Sequence, residues 1–139
     1  MPRIIALEDD ARRIDAFRSA VRSVLVGFEL YVFVDAPEMI YWLSANLTAS
    51  DILSLDRDLD STSASDLNCG TGEDVKDFLI QQALRPPIVI HSSNGLRAPA
   101  MHLEFAMAGF PIVLLCPFRG EKEWAADIAL AQTKYESLP

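Results

Sequence analysis

Five short apolar runs, four of them stopping abruptly at polar residues and each separated from the next by a stretch with helical spacing, constrain this chain more than any other feature. The sharpest is Ile52-Leu53-Ser54-Leu55, which breaks off into Asp56-Arg57-Asp58-Leu59-Asp60. A run so rich in aliphatic residues reads as a short strand buried in a sheet, and the aspartates after it fall at the mouth of that sheet. An ionised carboxylate beside a core is costly unless it is paired or bound to a cation. Asp56 therefore needs partners from elsewhere in the chain.

Taken in order, strand and helix signals alternate. Arg3 to Leu7 is a strand, followed by Glu8, Asp9 and Asp10. Ala11 to Val26 carries Ile14, Phe17, Val21 and Leu25 as a helical stripe. Phe28 to Val34 reads as a second strand, Asp35 and Pro37 as an N-cap and a first-turn proline, and Met39 to Leu47 as a short helix. Ser50 to Leu55 is the third strand. Asp60 to Cys69 is polar, small and without apolar period, a loop whose stretch from Ser61 to Cys69 is expected to order on binding. Thr71 opens a helix with Asp74 completing a capping box; Val75, Phe78, Leu79 and Ala83 mark its buried face and Pro86-Pro87 ends it. Ile88 to Ile90 is a fourth strand stopping at His91-Ser92-Ser93-Asn94. Pro99 to Met107 reads as a helix closed by Gly109, and Pro111 to Leu115 as a fifth strand followed by Cys116-Pro117-Phe118. Glu121 to Tyr135 reads as a last helix with Trp124, Ile128 and Ala131 inward.

Strands alternating with helices imply right-handed crossovers, a parallel sheet and an α/β three-layer α/β/α sandwich. Ligands of such sheets bind outside the carboxyl ends of the strands, where strand order reverses. The polar clusters after strands one, three, four and five all fall there. With 139 residues and 50% apolar content, one domain spanning residues 1–139 can bury its core without staples. Cys69 and Cys116 are too few for a disulfide framework, so reduced thiols are expected. No apolar run reaches the roughly 20 residues of a membrane span, and the start lacks the pattern of a signal peptide, so a cytoplasmic chain without membrane partners is expected. The formal charge of −8 argues against broad, nonspecific nucleic-acid binding, which rests on basic residues neutralising phosphates.

Leu7-Glu8-Asp9-Asp10, Leu55-Asp56, a hydroxyl after the fourth strand and Pro117-Phe118 after the fifth resemble the response-regulator receiver domain over nearly the whole chain. The resemblance implies a flavodoxin-like (CheY-like) five-stranded parallel sheet of order 2-1-3-4-5, with Glu8, Asp9 and Asp56 around a magnesium ion and Asp56 as phosphoacceptor. A receiver carries a lysine before the last proline, where this chain has Cys116. A narrower set of motifs, Ser54-Leu55-Asp56-Arg57-Asp58-Leu59, Thr71-Gly72-Glu73-Asp74-Val75 and Ile90-His91-Ser92-Ser93-Asn94 with Met101, resembles the cyclic-phosphate processing receiver group, a divergent branch. That group is proposed to act on cyclic phosphate ends in RNA repair, so the resemblance implies a metal-dependent phosphoesterase. Arg57 stands where that pattern has a histidine between the two aspartates.

The chemistry is consistent with either branch. Converging carboxylates repel, and Mg2+ relieves this through one or two of them while keeping waters and meeting phosphate oxygens. Opening a cyclic phosphate needs a base and an acid, for which His91, Asp56 and Asp58 are the candidates. Ser92, Ser93, Asn94 and the amides opening the next helix are candidates for phosphate oxygens, with Arg57 or Arg97 adding a charge-assisted contact. Simpler readings stand beside these. Asp10 caps a helix, His91 is a satisfied core histidine, Thr71 is an N-cap, and Cys69, Cys116, His91 and His102 lack the close pairs of a zinc site. The partner is thus a phosphate-bearing ligand such as an RNA end for an enzyme, or a protein for a non-catalytic or phosphorylatable receiver module in signalling.

Overall fold

The computed structural model describes residues 2–59 and 69–139. The loop expected from Asp60 to Cys69 lies, apart from Cys69, outside the described residues. Among the described residues ten elements alternate: β1 (Arg3–Leu7), α1 (Ala11–Ser23), β2 (Glu29–Phe33), α2 (Ala36–Asn46), β3 (Ile52–Leu55), α3 (Gly72–Ile80), β4 (Ile88–Ile90), α4 (Arg97–Met107), β5 (Val113–Leu115) and α5 (Glu121–Glu136). The strands form one parallel sheet in the order β2-β1-β3-β4-β5, as the receiver resemblance implied.

Because successive strand residues face opposite sides, each strand feeds two cores. Ile5, Leu7, Leu53, Leu55, Ile88 and Ile90 pack on one face with Met39, Val75 and Phe105 from α2, α3 and α4. Ile4, Ala6, Ile52 and Val89 pack on the other with Phe17 of α1 and Trp124 and Ile128 of α5. Burying each large aliphatic side chain contributes roughly 1.5–3 kcal/mol, which is why runs without a polar face hold the centre of the sheet. Trp124 is fully buried, whereas Trp42 is half-buried against Tyr31 and Phe33.

Several helix ends differ from the sequence reading, each for a local reason. Helix α1 stops at Ser23 rather than Val26, because Val24 and Val26 point to solvent and only Leu25 turns back to the core. Helix α3 stops at Ile80, well before Pro86-Pro87. The Arg85 guanidinium donates to the carbonyl oxygens of Leu79, Ile80 and Gln82, supplying the partners that a helix end lacks. Helix α4 begins at Arg97, so Pro99 occupies its first turn, where a missing N–H is harmless. Asp35 caps α2 by accepting from the Glu38 amide at 2.7 Å, and Thr71 with Asp74 forms the capping box of α3. Among the described residues every peptide bond is trans, that before Pro117 included. No described helix is long and apolar enough to cross a membrane.

Candidate functional site

Strand register assembles the site. Leu7 of β1 pairs with Leu55 of β3, and Leu55 with Ile90 of β4. The next residue on each strand is therefore Glu8, Asp56 and His91, emerging side by side as the ladder ends. The backbone bonds Asp56 N–H to Leu7 O (3.1 Å) and His91 N–H to Leu55 O (3.0 Å) carry the pairing one step beyond the strands. All three side chains are buried, and their ligand atoms lie within 4.8 Å of one another. Asp9, Asp10, Arg13, Asp58 and Ser93 join Glu8 and Asp56 in lining a cavity of about 150 Å³. That is room for several waters or a hydrated ion.

The two central carboxylates sit in different environments. Burial alone pushes the Glu8 carboxyl up, but the His91 hydrogen bond at 2.9 Å, the Asp10 amide and Arg13 outweigh it and hold the group below its usual range. Asp56 is pushed up to about 6, first by burial and then by the neighbouring Glu8 charge, against weaker help from His91, Ser92 and Arg13. Arg13 stands 3.4 Å from Glu8 and 3.9 Å from Asp56, with its guanidinium over the Phe118 ring. It comes from the first turn of α1 and puts positive charge at the pocket wall. Cys116, at the position where a receiver has lysine, is a half-buried thiol pushed up by burial to about 11, so it adds no cation.

The remaining sequence candidates divide between the pocket and its rim. Asp10 caps α1 through the Arg12 and Arg13 amides, at 2.9 and 3.1 Å. Ser92 hydrogen-bonds Asp56 and also accepts from the Asn94 amide. Ser93 is exposed on the cavity wall. Asn94 is committed at both ends: its Nδ2 donates to Asp58 at 2.9 Å and its Oδ1 accepts from the Leu96 and Arg97 amides. Arg57 turns away from the cavity to Glu73 and Asp58, and Arg97 also grips Glu73. His91 is enclosed, with Nε2 on Glu8 and Nδ1 at 2.7 Å from the Ser54 hydroxyl. Among the described residues the grouped metal-capable side chains are Glu8, Asp56 and His91, and Cys69, Cys116 and His102 do not join them.

Three residues escaped the sequence reading. Arg13 gave no signal, being one of several arginines on a helix. Ser54 did give one: a lone hydroxyl inside an apolar buried strand needs a partner. It accepts from the Trp124 indole N–H at 3.0 Å, which gives that core tryptophan a polar task. Gly72 was read only as part of a cap, yet a Cβ there would lie 2.1 Å from the Asp56 carbonyl oxygen. Its hydrogen also lets the amide reach Arg57 O at 2.9 Å. Glycine is therefore required where α3 meets the end of β3.

No protein-family model matches the chain, and no curated protein matches it in sequence. Solved structures do. A response-regulator receiver domain from Rhodospirillum rubrum superposes with a TM-score of 0.66 at 17% identity, covering 98% of this chain and 95% of the other. A CheY-like receiver domain protein from Methanospirillum hungatei gives 0.65 at 15% identity, covering 98% and 97%. The Mn2+-bound form of response regulator Rcp1 gives 0.63 at 14% identity, covering 97% and 92%. The chain therefore has the five-stranded, flavodoxin-like fold of CheY-like receiver domains over nearly its full length.

Proposed function

We propose that the chain, as one domain, works as a receiver-type module whose acid pocket takes a divalent cation together with a phosphate-bearing ligand, and whose occupied state is read by a protein partner. The observation that carries this reading is Asp56. It is buried beside Glu8, it is pushed up to about 6, and among the described residues Arg13 at 3.9 Å is the arginine or lysine paired with it. Such a carboxylate is stabilised by a hard cation more than by any change within the fold.

The donor set fits Mg2+: carboxylate oxygens around a cavity wide enough to leave waters on the ion. Asp9 and Asp56 would hold it, and once bound it would neutralise the pocket and draw phosphate oxygens to it. An Asp56 oxygen would face phosphorus, Arg13 would supply positive charge at the wall, and Ser93 on the cavity wall would offer its hydroxyl to a remaining oxygen, while Ser92 steadies Asp56. If a small acyl phosphate is the donor, an Asp56 oxygen bonds to phosphorus as the bond to the acyl oxygen breaks, releasing the carboxylate. Arg13 then occupies part of the role that the lysine missing at Cys116 has in the resemblance.

Calorimetric titration with Mg2+, repeated on Asp56→Asn, tests the reading. Binding in the wild type that is lost in the variant supports it, and no binding in the wild type overturns it. Intact mass after incubation with acetyl phosphate separates its two forms. A phosphoryl gain lost in Asp56→Asn marks covalent acceptance, and no gain marks a module that holds its ligand non-covalently.

The cyclic-phosphate reading stands second. Asp58, half-exposed on the same cavity, supports it as a second carboxylate beside Asp56. His91 weighs against it, because a base must reach water and this ring is enclosed with both nitrogens engaged. Phosphorus NMR of a nucleoside 2′,3′-cyclic phosphate incubated with the chain and Mg2+ decides it: ring opening lost in Asp58→Asn supports the enzyme, and an unchanged substrate removes it.

A further inference from the structure

The polar groups enclosed between the acid pocket and α5 form one connected line. Trp124 Nε1 lies 3.0 Å from Ser54 Oγ, Ser54 Oγ 2.7 Å from His91 Nδ1, and His91 Nε2 2.9 Å from Glu8 Oε1. Trp124, Ser54, His91 and Glu8 are all at most 1% exposed, so none of them can exchange its partner for water. An indole N–H can only donate, so Ser54 accepts from Trp124 and keeps its own proton for His91 Nδ1. The ring proton then sits on Nε2 and is donated to Glu8. Every hydrogen in the line has a taker.

Glu8 is saturated at the far end. Its Oε1 accepts from His91 and Arg13, and its Oε2 from the amides of Asp9 and Asp10, at 2.9, 3.4, 3.1 and 3.1 Å. Four donors meet the roughly four lone-pair sites of a carboxylate. No oxygen is left to bind an ion directly, although Glu8, Asp56 and His91 lie close enough to suggest a three-residue metal site. Glu8 instead holds the amides of Asp9 and Asp10 in place and sets a fixed negative charge beside Asp56.

We infer that Trp124, Ser54 and His91 are positioning residues that hold Glu8 as a fixed counter-charge, so that cation binding at Asp9 and Asp56 is coupled to α5 through a buried hydrogen-bonded line. This rests on the cation reading above. Removing a partner that holds a metal ligand typically changes metal affinity by about tenfold to a hundredfold, and because Glu8 stands one step behind the ligands Asp9 and Asp56 a smaller loss, about threefold to tenfold, is expected here. Any movement of Glu8 on cation entry must pass to Trp124, whose ring stacks on Phe17 of α1 at 4.0 Å.

The test uses the full chain, Ser54→Ala, and Trp124→Phe, which keeps an aromatic ring and removes only the donor. Both variants are expected to bind Mg2+ about threefold to tenfold more weakly by calorimetry, and nitrogen-15 NMR of the wild type should place the His91 ring proton on Nε2. In a Trp42→Phe background, where Trp124 is the remaining tryptophan, Mg2+ should shift the indole emission, and adding Ser54→Ala should abolish that shift at saturating Mg2+. Wild-type binding within twofold of both variants, or a proton on Nδ1 alone, overturns the inference while leaving the cation reading intact. A wild type that binds no Mg2+ overturns both.

Discussion

Two groups of acids stand next to each other at the carboxyl edge of the sheet and carry opposite charge balance. Around Glu73 on α3, the guanidinium of Arg97, with that of Arg57 beside it, holds the carboxyl down at about 2, and Arg57 also pairs with Asp58. Around Asp56, which follows the end of β3, burial and the Glu8 charge push the carboxyl up to about 6 against Arg13 at 3.9 Å. The first group is complete within the fold and reads as structure holding the rim. The second is under-compensated, and under-compensated buried charge is where a ligand gains most from arriving. Arg57 and Arg97, offered by the sequence as phosphate contacts, belong to the first group.

The sharpest way to break this comparison is Asp56→Asn. It should lower Mg2+ affinity at least about a hundredfold and, without cation, stabilise the chain by roughly 1–2 kcal/mol near pH 7, because an isosteric neutral group replaces an unfavourably buried charge. Calorimetry and thermal unfolding check both signs; a destabilised variant would show that Asp56 is already well compensated. Next comes Gly72→Ala, where α3 touches β3 between the two groups. Its Cβ meets the Asp56 carbonyl oxygen at 2.1 Å, so backbone must move, at a cost of about 2–3 kcal/mol in denaturant unfolding and a loss of cation affinity with it.

Glu73→Gln should act on stability alone. Losing the partner of two arginines at a partly solvated rim should cost about 1 kcal/mol, with Mg2+ affinity unchanged within about threefold. The pH dependence separates the groups by sign. Glu73, lowered in the fold, contributes stability that is present above pH 4.5 and is lost as pH falls towards 2. Asp56, raised in the fold, contributes stability that is present below pH 3.8 and is lost as pH rises through about 6. Denaturant midpoints measured from pH 4 to 7 should therefore carry a downward component that disappears in Asp56→Asn and is reduced by Mg2+. The smallest effect belongs to Arg13→Gln, which removes the guanidinium paired with Asp56 and should tighten Mg2+ binding about threefold by calorimetry.

Much of this pocket was legible before any coordinates. Glu8, Asp9 and Asp56 ended apolar runs, and in a parallel sheet run ends share one edge. The caps at Asp10, Asp35 and Thr71 followed from short-range chemistry. What could not be read were pairings between distant segments. The end of α3 depended on Arg85 folding back onto carbonyls, and the place of Arg57 on Glu73 sixteen residues away. His91 carried a correct warning that its ring was a satisfied core group, but its partners, Ser54 and Glu8, were out of reach.

By itself the sequence determined the alternation of strands and helices, the parallel sheet and the edge on which its acids gather, because hydrophobic period and chain direction are local properties that add up along the chain. Only the tertiary structure decided which charges are matched. That depends on side chains 37 and 83 residues apart meeting in a space from which water is excluded, as Ser54 and Glu8 meet His91, and no pattern along the chain records such a meeting.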